Sequence, residues 1–258
     1  PGGWSTFARA KESLQHGSLA RKALDRLETE LIPQFMAAQR WYAGKDATNP
    51  DRTTSAAEAA SAGEGKEGAP AQLLGQAEWT IAPGNSALLP LFEVGEDRYF
   101  VPLSLIWEDS GRDSSRMPGP SVLAKVRQQA KVGWLVDAMA DEEFCRAIVR
   151  AIGNAQDLPT PAGRVEFRPT AEFASVIAAL PEAERATMSV RFPPAQSSNT
   201  TVIVGDLLFL KTYRQLRTGV NIEVEIGRFL TEVARFGNSV PVLGTMEHVA
   251  DDGSRVSL

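Results

Sequence analysis

Cysteine is almost absent from this sequence: Cys145 stands alone, so no internal disulfide can form and a reducing compartment fits. Histidine is nearly as scarce, and His16 and His248 lie too far apart to give a Cys/His metal spacing. No apolar run approaches the roughly 18 residues that a membrane-spanning helix requires. A basic excess is missing too. Lys and Arg number 27 against 32 Asp and Glu, and the net charge of -5 supplies no field for nucleic acid or an anionic membrane. The start, Pro1-Gly2-Gly3-Trp4, has neither Met nor an apolar signal core, so the chain reads as a cytoplasmic fragment. What remains, 43% hydrophobic and 23% charged over 258 residues, suits one large or two ordinary globular domains.

The patterning predicts an α+β chain. Leu24, Leu27, Leu31 and Phe35 recur at helical spacing, which predicts a helix or two over 18–40, kinked or restarted at Pro33. Residues 46–70 are built mostly from small and polar types without an aromatic, and read as a mobile loop. Strand patterns follow at Leu73–Ile81, Leu88–Val94 and Arg98–Trp107, the last two flanking the turn Gly95-Glu96-Asp97. Further candidates are Val122–Arg127 and Lys131–Met139. Asp141 can cap a helix to Ile152 that Gly153 stops. A strand at Arg164–Arg168, a helix at Ala171–Leu180 and a strand at Met188–Phe192 lead to the most informative stretch. There, Thr200–Val204, the turn Gly205-Asp206 and Leu207–Arg214 precede a helix over 221–236, and a hairpin around Asp251-Asp252-Gly253 closes the chain. The expected division is a linker or tail at 1–20, a first domain at 21–120 and a second at 121–258.

Strand, tight turn, strand with a lysine, helix with a glutamate, two more strands: this order suits a grip on ATP. A triphosphate needs a fixed cation and exposed N–H donors, and a helix carboxylate can hold the cation in place. Lys211 sits in an otherwise apolar strand and therefore calls for a partner. Glu223 and Glu225 both flank the helix's apolar stripe of Ile222, Ile226, Phe229 and Val233, so geometry does not choose between them. The Ser/Asn-rich turn before the first strand could cover a phosphate with small polar groups. On pattern alone, a surface ion pair between strand and helix accounts for both charged residues.

Two motifs carry a resemblance. Asn199-Thr200-Thr201-Val202-Ile203-Val204-Gly205-Asp206, then Leu210-Lys211-Thr212-Tyr213-Arg214, then Gly219-Val220-Asn221-Ile222-Glu223-Val224-Glu225, resemble the N-lobe signature of maltokinases. Gln39-Arg40-Trp41-Tyr42-Ala43-Gly44-Lys45 resembles that family's N-terminal cap motif. The resemblance implies a cystatin-like cap followed by a protein-kinase-like N-lobe, with the C-lobe absent from this chain. It implies transfer of the ATP γ-phosphate to maltose, giving maltose 1-phosphate. Lys211 would be the phosphate lysine, Glu225 its helix partner, and Ser198, Asn199 and Thr200 the phosphate-covering turn. No catalytic residue is expected in this fragment, because the family's catalytic Asp and its Mg²⁺ ligand lie in the C-lobe, so the fragment alone is expected to be inactive. Ile222 replaces the family's usual proline, which loosens the helix start, and Ser197 stands where glutamine is frequent. Some members are fused behind a trehalose synthase, and residues 1–20 could be the tail of such a linker.

Other features have plainer readings. Trp41, Trp79, Trp107 and Trp134 suit packing better than a sugar platform, Arg40 and Lys45 suit solvated or capping roles, and Cys145 and His248 read as structural. Two rival functions remain: a non-catalytic module that docks or regulates a partner such as trehalose synthase, and a cystatin-like binding protein using residues 20–140.

Overall fold

The computed structural model describes residues 4–6, 21–42, 70–108, 119–128, 130–177, 180–193 and 199–258. Nearly all of the loop expected at 46–70 lies outside the described residues, as do Lys45, His16 and Ser198. The described chain is α+β, with helices packed on antiparallel sheets. No helix among the described residues is long and apolar enough to cross a membrane.

The first helical run joins α1 (Arg21–Arg26), a π-helical turn (Leu27–Leu31) and α2 (Ile32–Ala38). Pro33 falls in the first turn of α2, and the carbonyl five residues before it, that of Glu28, accepts from the Ala71 N–H at 2.9 Å in place of the N–H that proline lacks. The Ile32 N–H reaches back five residues to the Leu27 carbonyl, so the π-helical turn passes directly into α2, which starts at Ile32 beside Pro33. Leu27, Leu31, Ile32, Phe35 and Met36 share the buried face.

That face lies on a large sheet of β2 (Gln72–Ala82), β3 (Asn85–Val94), β4 (Asp97–Phe100), β5 (Leu103–Trp107), β6 (Val122–Gln128) and β7 (Lys131–Asp137). Pairing runs β6-β7-β5-β3-β4, with β2 also on β3, so the division expected at 120 falls inside one sheet. A piece of the expected tail, β1 (Trp4–Thr6), adds a parallel edge strand against β6. Side chains alternate across β3: Leu88 and Phe92 meet the first helices, while Ala87 and Leu89 belong to the core on the other side. The sheet is therefore buried on both faces.

On the second face, Asp141 caps α3 (Glu142–Gly153) by accepting from the Glu143 N–H at 3.0 Å. Phe144, Ile148 and Ile152 all point into the core, as their spacing predicts. Trp79 packs between Phe144 and Phe167, at ring-centroid distances of 5.7 and 5.1 Å, a core role for that tryptophan. A four-stranded sheet follows, ordered β15-β14-β9-β8, from β8 (Asp157–Thr160), β9 (Gly163–Pro169), β14 (Gly244–Ala250) and β15 (Arg255–Ser257). Helices α4 (Ala171–Ile177) and α5 (Glu182–Ala186) lead to a three-stranded sheet of β10 (Val190–Arg191), β11 (Asn199–Val204) and β12 (Leu208–Tyr213). The chain then changes sheets within two residues. Arg214 is the corner, and β13 (Gln215–Leu216) pairs with β4 of the large sheet.

Candidate functional site

The site begins at the hairpin of β11 and β12. Gly205 and Asp206 both take positive φ, 64° and 55°, the left-handed pair of a tight hairpin turn. A Cβ on Gly205 would sit 2.8 Å from Met188 Sδ, so glycine is required there on two counts. The register sets Thr201 opposite Lys211 and Thr200 opposite Thr212. Asn199 and Thr200, expected in a phosphate-covering turn, are thus the first residues of β11, because their backbone pairs with Tyr213 and Thr212.

Lys211 projects toward helix α6 (Ile222–Arg228), which a π-helical turn (Phe229–Val233) extends. The Asn221 side chain starts the helix, accepting from the Glu223 and Val224 N–H groups at 3.0 and 3.4 Å. This cap secures a helix start that has no proline. The Lys211 ammonium donates to both Glu223 oxygens, at 2.5 and 2.6 Å. The expected partner, Glu225, is not the one that the structure pairs with it.

The reason lies in which way the helix faces. Ile222, Ile226, Phe229 and Val233 are 53–69% exposed, so the stripe that sequence patterning assigns to the core faces solvent. The inward face is Val224, Gly227, Leu230 and Thr231, with the small Gly227 and Thr231 at its closest approach to the rest of the chain. A Cβ on Gly227 would come within 2.5 Å of Val242 Cγ2, and the Thr231 hydroxyl accepts from the Val242 N–H at 2.9 Å. At about 100° per residue, Glu223 borders that inward face and Glu225 lies away from it.

Tyr213 completes the group. Lys211 Nζ stands 5.4 Å from its ring centroid, and burial together with the neighbouring Glu223 carboxylate raises its hydroxyl pKa. The Lys211 side chain is 34% exposed, so the cation remains open to a ligand from solvent.

A second cation lies three residues on. Arg214 is wholly buried. Its Nη2 donates to Asp137 at 2.5 Å and its Nε to the Thr200 hydroxyl at 2.8 Å, while its Cζ lies 5.2 Å from the Trp41 ring centroid. The two motifs that carried the resemblance meet here, Trp41 from one and Arg214 from the other. Thr200, expected to cover a phosphate, supports this guanidinium. Sequence reasoning assigned Arg214 and Asp137 no role; 77 positions separate them, and no spacing signal links them.

Cys145 is fully buried, burial raises its pKa, and its Sγ donates to the Met139 carbonyl at 3.5 Å, all of which suit packing. Among the described residues, no three His, Cys, Asp or Glu side chains converge as a metal site. No protein-family model matches this chain, and no curated protein gives a significant match.

Proposed function

We propose that this chain is the ATP-gripping part of a maltokinase, the enzyme type that transfers the γ-phosphate of ATP to maltose and yields maltose 1-phosphate. The reading takes the helix-on-sheet portion as the cystatin-like cap and the stretch from β11 to β15 as the protein-kinase-like N-lobe. One departure goes with it: β11–β12 and β14–β15 lie in separate sheets. The observation that carries the proposal is the Lys211–Glu223 pair, an ammonium on a strand steadied by a bidentate helix carboxylate and still open to solvent. Such a cation can neutralise phosphate oxygens, and its carboxylate limits the freedom that binding must remove.

In this reading Lys211 binds the triphosphate, Glu223 orients Lys211, and Asn199, two residues before the Lys211 cross-strand partner Thr201, flanks the nucleotide. Ser198 keeps its proposed covering role. The catalytic Asp and the Mg²⁺ ligands are assigned to a C-lobe outside this chain, and the reaction to the cytoplasm. Titration with a fluorescent ATP analogue tests the proposal. The chain should bind it, and Lys211→Ala should weaken binding at least about tenfold with the fold intact. Equal binding by the variant removes the assignment. The chain by itself should form no maltose 1-phosphate.

A second reading has its own observation. The exposed stripe of Ile222, Ile226, Phe229 and Val233 suits a non-catalytic module that docks a partner such as trehalose synthase. Co-sedimentation with that enzyme, lost on Phe229→Asp and retained in Lys211→Ala, would favour it over the kinase.

A further inference from the structure

A cavity of about 280 Å³ opens where the edge of the large sheet meets the four-stranded sheet, away from Lys211. Leu74, Leu89, Leu91, Val165, Leu216 and Val256 supply most of its wall. It is larger than the roughly 150 Å³ apolar cavity that suffices for benzene. No side-chain carboxylate lines it, and its one permanently charged side chain is Arg98. That side chain is 57% exposed and forms a loose ion pair with its cross-strand neighbour Glu93 at 4.0 Å, longer than a hydrogen bond and open to exchange for a ligand's anionic head. The Thr160 hydroxyl and His248 Nε2, also in the lining, form a polar pair at 3.3 Å. Burial lowers the His248 pKa against the opposing pull of Asp251, which favours the uncharged imidazole.

We infer that this cavity binds a small organic anion with an apolar body, a short alkyl chain or a single ring, whose carboxylate or phosphate head is held by Arg98. The apolar wall would take the body, gaining free energy with each buried CH₂, and the guanidinium fork matches either head group. Such a ligand would touch β2, β3 and β4 on one side and β9, β14 and β15 on the other, tying the two sheets together. The inference does not depend on the nucleotide reading, because neither Lys211 nor Glu223 lines the cavity.

Gly75 offers a direct way to fill the space. It lines the cavity, and a Cβ there would meet nothing within 4 Å, so a side chain added by Gly75→Leu starts in open volume. Octanoate, octyl phosphate and 1-octanol, each below its micellar or solubility limit, are titrated into the whole chain by calorimetry, with circular dichroism to confirm each variant's fold. At least one of the two anions should bind saturably, and 1-octanol about tenfold more weakly. Comparing the anions tells a carboxylate site from a phosphate site. Arg98→Gln should weaken the bound anion about tenfold, Gly75→Leu should abolish its binding, and Lys211→Ala should leave it unchanged. The inference is overturned if neither anion saturates, if 1-octanol binds as well as both, or if binding survives Gly75→Leu but not Lys211→Ala.

Discussion

Lys211 and Arg214 lie on the same extended segment, three residues apart, and meet opposite environments. Arg214 is 0% exposed and is held by a buried carboxylate, a hydroxyl and an aromatic ring. Lys211 is 34% exposed and held by one carboxylate that is itself 58% exposed. A planar guanidinium can satisfy fixed partners in several directions at once, whereas an ammonium on a flexible stem suits a site that solvent and ligand share. The contrast separates a cation that holds the fold together from one left available for chemistry.

Substitutions should open that contrast widest at Arg214. Arg214→Met leaves the Asp137 carboxylate buried without its partner and should cost about 3–5 kcal/mol in chemical denaturation. Removing both charges, as in Arg214→Met with Asp137→Leu, should recover much of that loss; a double variant no more stable than the single one would show that Asp137 matters chiefly for capping the Met139 N–H. Thr200→Val strips one acceptor from the guanidinium and should cost about 1–3 kcal/mol, with nucleotide affinity following stability alone. Lys211→Ala should change stability by less than about 1 kcal/mol, since its pair is exposed, while nucleotide binding falls about tenfold. Smallest of all, Glu225→Gln should move both quantities by under about 0.5 kcal/mol, whereas Glu223→Gln should weaken the nucleotide without unfolding the chain. Equal effects of the two Gln variants on binding would erase the distinction between the acids.

The sequence was legible where one local rule governed the outcome. The strand at Leu88–Val94, the Asp141 cap and the Phe144-Ile148-Ile152 stripe of α3 all formed as patterning predicts. The same stripe rule failed on α6, because Gly227 and Thr231 let that helix approach Val242 closely and turned its larger apolar residues outward. That reversal also decided between Glu223 and Glu225, which helical angles measured from the stripe could not do. The strand β8 escaped notice because Asp157-Leu158-Pro159-Thr160 offers a single buried apolar residue and a proline. Arg214 and Asp137 were out of reach for a different reason: their pairing depends on sheet topology, which no local pattern encodes.

The switch of sheets at Arg214 bears on how this protein can be cut. Two residues, Gln215 and Leu216, occupy the edge of β4, and the Phe100 N–H donates to the Arg214 carbonyl at 2.8 Å. A truncated chain ending after Asp137 would leave that edge bare and Trp41 without its guanidinium, an invitation to strand-to-strand aggregation. Dissecting the molecule for expression therefore calls for keeping residues up to Leu216 with the first half, even though they arrive nearly 80 positions after its last strand.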